Sequence, residues 1–465
     1  MSGQAAGNFV HRRSTRYFDT SLDWFSRTKV LRIVVQALMT LASAFLALLA
    51  AAVPAQVPAN SILPSPTGPW RVGRITYDWI DSSRAAFLDS TDQNRREVVV
   101  DVWYPTDATA GSASYLPYME KFSLVMPDSI AQRRFAPAYA AVKQGVLSTH
   151  AKEGAPVKCS ATSCPLLTFS HGGGVDRSSY TAQYEELASH GYIVAAIAHT
   201  GDTHRVVFPD GRSIGAPPPP PPLPDPPEWR TLPPMRRGFL RSERNADYGR
   251  RVIRIEADDI RFVIDRMIAL ANAPASPFVG MLDTAQIGAL GHSAGGMAAA
   301  LTCQLDVRIK ACLNEDGAMG NLPFDRDARG FTLSQPFLYL TRPYNRPAVT
   351  DSLIASLQTT RAELTAHLDW LQTRPDSLLA EMPQAWRVTL RIARLPHMGF
   401  SDEPLIMAGA DSSKRYDALR ALRYTNVYTL AFFAKYLRGD RNTVLDRPLG
   451  ADSAVVSVER FGGRR

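Results

Sequence analysis

Residues Gly291-His292-Ser293-Ala294-Gly295 read G-x-S-x-G. A serine held on a sharp strand-to-helix turn presents its hydroxyl as a nucleophile, and small neighbours give that turn room. The surroundings fit. Residues 286–290 form a short apolar strand, and 294–303 read as a helix of small residues. The start of that helix aims N–H groups at negative charge developing on a substrate. A second loop, His171-Gly172-Gly173-Gly174, follows another apolar run at 165–170. Glycines there let backbone N–H groups approach a substrate oxygen closely. Gly173 and Ala294 are the expected oxyanion-hole donors.

A serine at neutral pH needs a base. Of the nine histidines, His397 stands just after a strand at 386–394, in Leu395-Pro396-His397-Met398-Gly399-Phe400-Ser401-Asp402. His171 and His292 belong to the motif loops, His190 ends a helix, and His367 falls mid-helix on a solvated face. His397 is therefore the expected base, in the chain order serine, acid, histidine. The acid falls between them. Leu313-Asn314-Glu315-Asp316-Gly317 closes the strand that follows the nucleophile helix. Carboxylates at the carboxyl end of a parallel strand point toward the crevice. Asp316 is the expected acid. Glu315 is the alternative, because adjacent strand residues face opposite ways. His199, Asp202 and His204 make a further cluster after a strand at 192–198. Their spacing matches no metal motif, so they read as hydrogen-bonding support around the pocket, and no metal or cofactor is expected.

These residues need a scaffold that brings loop ends together. Strands at 165–170, 192–198, 286–290, 308–313, 335–340 and 386–394 alternate with helices at 178–189, 250–271, 294–303 and 416–437. That alternation predicts an α/β fold with a mostly parallel central sheet flanked by helices, as one large domain over 66–440. Two strands near 70–79 and 96–104 open it as an antiparallel pair. Residues 107–157 give no clear pattern. Two insertions interrupt the body. Residues 215–236 hold 11 of the 34 prolines, with Pro217 to Pro222 unbroken. Such a run is stiff polyproline II, expected to form a rim that restricts substrate size. A helix at 353–371 marks a second insertion, 341–385. Residues 441–465 read as a tail.

The chain of 465 residues has 45% hydrophobic and 21% charged residues, an ordinary globular composition. Its net charge of +8 is concentrated at the start, where six basic and two acidic residues precede residue 33. No long Lys/Arg run remains elsewhere, which argues against a nucleic-acid partner. Residues 33–53 are uncharged and apolar, long enough to span a bilayer, with the basic residues before them. Residues 1–56 thus read as a head plus a signal peptide or membrane anchor, and the protein as exported: periplasmic, secreted or anchored outside. Cys159 and Cys164 are close enough to bridge. Cys303 and Cys312 are expected to lie about 13 Å apart and to be unbridged, small buried hydrophobes.

At these residues the chain resembles the plasma-type platelet-activating factor acetylhydrolase family, a branch of α/β-hydrolases related to dienelactone hydrolases. The resemblance covers about 160–440. It rests on Phe169-Ser170-His171-Gly172, Gly291-His292-Ser293, an acid one strand after the nucleophile, and His397-x-x-Phe400-x-Asp402. It implies an α/β-hydrolase fold and a calcium-independent carboxylic ester hydrolase, with Ser293 as nucleophile, Asp316 as acid and His397 as base. The implied substrate is a short-acyl or lipid-like ester. Dienelactone hydrolases proper use a cysteine where this chain has Ser293. The all-glycine oxyanion loop, the proline tract and the inserted helix depart from the family, and all bear on substrate selection. An amidase or exopeptidase of the same fold, and a non-enzymatic anchored binding module, are the alternative readings.

Overall fold

The computed structural model describes residues 61–87, 94–116, 129–159, 163–203, 205–216, 224–232, 234–319, 333–409, 411–447 and 454–462. The apolar segment 33–53 and the run Pro217 to Pro222 lie outside the described residues. Among the described residues no helix is long and apolar enough to cross a membrane.

The chain opens with β1 (Arg71–Ala85) and β2 (Arg95–Thr106), paired antiparallel. The stretch without a sequence pattern holds helix α1 (Ser129–Lys143) and the two-residue β3 (Lys152–Glu153). Then come β4 (Cys164–Ser170), helix α2 (Thr181–Ser189) and β5 (Ile193–His199). A small hairpin, β6 (Arg205–Val207) with β7 (Ser213–Gly215), stands apart from the main sheet. Helix α3 (Pro234–Asn272) leads to β8 (Leu282–His292), helix α4 (Ala294–Leu305), β9 (Ile309–Glu315) and β10 (Phe337–Thr341). Helices α5 (Asp351–Leu357) and α6 (Arg361–Glu381) precede β11 (Ala385–Leu390). Helices α7 (Glu403–Ala408) and α8 (Ser412–Leu437) and strand β12 (Val456–Phe461) complete the chain.

Among the described residues, ten strands form one sheet in the order β12-β11-β10-β9-β8-β4-β5-β2-β1-β3. The six from β5 to β11 run parallel. Every residue of β4 and β5 is buried, which is why these runs are apolar without alternation. Period-two geometry still divides them. Leu166 enters the apolar layer formed with α3 and α4, whereas Leu167 enters the layer formed with α2 and α8. The sheet is thus sandwiched between helices.

Several elements differ from the sequence reading. Helix α3 begins sixteen residues before the expected 250, because its first half, rich in Arg and with acids interspersed, has no apolar period to detect. The expected helix at 353–371 is two helices. Gln358 adopts a left-handed φ of 46°, and Thr360 with Glu363 forms a reciprocal capping box that starts α6. Residues 441–465, read as a tail, supply β12, which pairs antiparallel with β11 and covers its edge. By internal contacts, described residues of 222–245 and 347–367 group into a small unit, and the rest into a larger one that contains the whole sheet.

The cysteines require a correction. Cys159 and Cys164 are bridged, with Cα atoms 5.6 Å apart. Cys303 and Cys312, expected to be too far apart, are bridged as well, at 6.4 Å. The helix ends at Leu305 and the strand starts at Ile309, and the two run back alongside each other. Displacements along helix and strand therefore offset rather than add, and the two Cα atoms fall within disulfide range.

Candidate active site

Ser293 sits between β8 and α4 with φ 56° and ψ −118°, outside the regions a side-chain-bearing residue ordinarily occupies. The turn is possible because its neighbours are glycines. A Cβ on Gly291 would sit 2.6 Å from the Ser170 carbonyl oxygen and the Gly295 backbone, and one on Gly295 would collide with the same Ser170 carbonyl. The Ser293 N–H donates to the Glu315 carbonyl at 2.8 Å, tying the turn to the neighbouring strand end.

The predicted base and acid converge on this serine. His397 opens a short 3-10 turn, His397–Phe400, beyond β11. Its Nε2 lies 2.8 Å from Ser293 Oγ, and its Nδ1 donates to Asp316 Oδ2 at 2.7 Å. Asp316 follows β9 with φ 51°, and its N–H donates to the Leu340 carbonyl at 2.8 Å. Burial alone would raise its carboxyl, but the hydrogen bond from His397 and the Arg342 charge outweigh that and hold it below the usual carboxylate range. Glu315, the alternative acid, points to the other face of the sheet. There it accepts from Gln183 Nε2 at 2.5 Å, and burial pushes its carboxyl up to about 8.

The glycine loop lies opposite. Gly172 N–H donates to Tyr180 Oη at 3.1 Å, and Gly174 N–H to the Asp202 carbonyl at 3.2 Å. Between them, the Gly173 N–H has no acceptor among the described residues, and neither has the Ala294 N–H at the first turn of α4. A Cβ built on Gly173 would lie 3.6 Å from the Ala294 Cβ, so the two segments face each other across a narrow gap.

Three supporting residues escaped the sequence reading. Tyr180 Oη, besides accepting from Gly172, donates to His292 Nδ1 at 2.8 Å. Arg342 Nε donates to Asp316 Oδ2 at 2.8 Å, and Thr341 Oγ1 to Asp316 Oδ1 at 2.9 Å. The last two stand at the carboxyl end of β10, next to the acid's own strand. That position was the available signal. Tyr180 had none, because only packing brings it beneath the elbow.

The remaining motif residues have structural work. His292, wholly buried, donates from Nε2 to the His397 carbonyl at 2.9 Å. Burial, helped by the nearby His397, pulls it down to about 3, so it stays neutral. Phe400 stacks on the His292 ring, with centroids 5.8 Å apart. Asp402 accepts from Tyr115 Oη at 3.1 Å and from the Ala182 N–H, anchoring the base loop to α2. Of the other histidine cluster, His204 lies outside the described residues. His199 is fully buried with both ring nitrogens engaged, donating to Asp259 at 2.9 Å and accepting from Ser170 Oγ at 2.8 Å. This second serine–histidine–aspartate set is sealed from substrate and braces the oxyanion loop from beneath. Among the described residues no cluster of His, Cys, Asp or Glu could hold a metal ion.

Comparison with known proteins agrees with this architecture. The model of the platelet-activating factor acetylhydrolase, isoform II, family matches residues 56–207, and that of the alpha/beta hydrolase family matches residues 169–460. A probable 1-alkyl-2-acetylglycerophosphocholine esterase of Arthroderma benhamiae is 24% identical over 434 residues, 89% of this chain and 98% of that protein. A platelet-activating factor acetylhydrolase of Cavia porcellus is 23% identical, covering 82% of this chain and 80% of that one. Among solved structures, a ferulic acid esterase from Streptomyces cinnamoneus superposes with a TM-score of 0.59 at 25% identity, over 86% of this chain and 99% of that one. The chain belongs to the alpha/beta hydrolase family, and within it is similar to the platelet-activating factor acetylhydrolases.

Proposed function

We propose that the protein hydrolyses carboxylic esters through an acyl-enzyme formed on Ser293. The observation that carries this reading is one continuous hydrogen-bonded line, Ser293 Oγ to His397 Nε2 at 2.8 Å and His397 Nδ1 to Asp316 at 2.7 Å. His397 takes the serine proton as Oγ attacks the carbonyl carbon, and Asp316 stabilises the imidazolium that results. The Gly173 and Ala294 N–H groups hold the oxyanion. The carbonyl re-forms, the C–O bond to the alcohol breaks, and His397 passes its proton to the leaving oxygen. Water, deprotonated by the same imidazole, then releases the acid.

Short acyl groups on lipid-like alcohols are the favoured substrates, supported by one relative named a probable 1-alkyl-2-acetylglycerophosphocholine esterase and another named a platelet-activating factor acetylhydrolase. Esters are favoured over amides because one relative and the solved neighbour are named as esterases. Export is supported by two disulfides, which persist in oxidising compartments, and by the basic-flanked apolar run at 33–53.

The test pairs chemistry with labelling. Ser293→Ala loses turnover of nitrophenyl acetate and loses labelling by a fluorophosphonate, while the wild-type protein shows both, with rates falling as the acyl chain lengthens. Labelling that persists in the variant overturns the assignment of the nucleophile.

A further inference from the structure

Arg342 follows β10 directly, and its Nε–H reaches the same Asp316 oxygen that receives the His397 Nδ1–H. An arginine facing a carboxylate commonly uses two N–H groups in a fork. Here only one tine of the fork is used: Asp316 Oδ1 accepts from Thr341 Oγ1, and Oδ2 accepts from both His397 and Arg342 Nε. The guanidinium is therefore held through Nε alone. Its Nη1 and Nη2 have no acceptor among the described residues. The side chain remains 30% exposed, beside a His397 that is 42% exposed. The next arginine along the loop, Arg346, is by contrast paired with Asp369.

Charge completes the argument. Once His397 has taken the serine proton, the Asp316 carboxylate serves two cations, so these three side chains sum to +1 before the substrate oxyanion is counted. His397 returns its proton from Nε2 to the leaving alcohol, so that alcohol lies beside His397, whose other ring nitrogen meets the Asp316 oxygen that Arg342 also holds. Guanidinium N–H groups match the oxygen spacing of phosphate and carboxylate.

We propose that the Nη edge of Arg342 is a subsite for an anionic oxyacid group, a phosphate or a carboxylate, carried on the leaving alcohol of the ester. The subsite rests on ester hydrolysis through Ser293 and specifies which esters are preferred. Arg342 thereby has two roles, positioning the acid through Nε and recognising substrate through Nη1 and Nη2.

The experiment compares kcat/KM at low ionic strength for methyl 4-acetoxybenzoate, 4-acetoxybenzoate and 4-acetoxyphenyl phosphate. These share an acetyl group and differ in the charge on the leaving phenol. The readout is the anionic-to-neutral ratio in each protein relative to the wild type, which cancels intrinsic reactivity and any general loss from a displaced Asp316. Arg342→Met is expected to lower that ratio about ten- to a hundredfold, the scale of a charged hydrogen bond, with Arg342→Lys in between. Whichever anionic ester loses more identifies the oxyacid. An unchanged ratio in both variants overturns the subsite. Should Arg342→Met fail to fold, the Lys variant carries the ratio. Inorganic phosphate and benzoate slowing fluorophosphonate labelling of the wild-type protein, and slowing it less in the Lys variant, give a second reading, and no slowing by either anion overturns the proposal. A wild-type protein that hydrolyses none of the three esters refutes the ester-hydrolase reading itself. One that hydrolyses the neutral ester, with a ratio insensitive to residue 342, refutes only the subsite.

Discussion

The backbone carbonyl of His397 accepts a hydrogen bond from Nε2 of His292, 2.9 Å away. The residue before Ser293 thus holds the loop that carries His397. With Tyr180 Oη on the other ring nitrogen and Gly172 N–H on Tyr180, three bonds connect the oxyanion loop, the elbow and the base loop. Because a carbonyl can only accept, Nε2 must carry the proton, and Tyr180 must donate to Nδ1. Burial keeps His292 neutral and so keeps this direction fixed.

Tyr180→Phe removes the middle of that connection and leaves a buried Gly172 N–H without its acceptor. We expect a stability loss of about 1–3 kcal/mol and a fall in kcat of about ten- to a hundredfold with little change in KM. Urea unfolding and steady-state kinetics check both. Wild-type kcat in a folded variant would show that the connection has no part in catalysis.

Asp316 and Glu315 are neighbours with opposite outcomes. Asp316→Asn keeps the shape and removes the charge that stabilises the imidazolium, so kcat falls by about 10³–10⁴. Glu315→Gln touches neither His397 nor the substrate and keeps activity within a few-fold of wild type. A reversed pattern in nitrophenyl acetate turnover would move the acid to Glu315.

Glu315 also sets a pH dependence of stability. Its carboxyl rises from about 4.5 to about 8 on burial. The folded state holds this proton where the unfolded state has released it, so the contribution is complete below about pH 4.5. It declines as pH rises and is fully lost above about pH 8. Glu315→Gln removes that decline. Denaturation at pH 5 and pH 8.5 should show the variant gaining on wild type as pH rises, and parallel curves would refute the buried neutral acid.

The Cys303–Cys312 bridge closes a short loop between α4 and β9, next to the elbow. Replacing both cysteines with alanine should cost about 2–3 kcal/mol, the loop-entropy scale for a separation of nine residues. Dithiothreitol should lower the wild-type midpoint and leave less effect in the double variant. Free thiols at both positions in non-reduced, unfolded protein would contradict the bridge.

Local patterns were enough to place the serine turn, the glycine loop, a histidine just past a strand and the parallel sheet. Each depends on features carried by a few consecutive residues: glycines flanking Ser293, the buried apolar run 192–198, and a histidine just past a strand. Tertiary structure decided the rest. It brought Asp316 rather than Glu315 to His397, since which of two adjacent carboxyls meets that ring depends on how β9 lies between β8 and β10. It joined Cys303 to Cys312 by folding a helix back along a strand, and it drew β12 from an apparent tail. Tyr180 met His292, and Arg342 met Asp316, across separations of 112 and 26 positions. Sequence periodicity records which face of an element is apolar, whereas such meetings depend on how separate elements dock, which no single segment encodes.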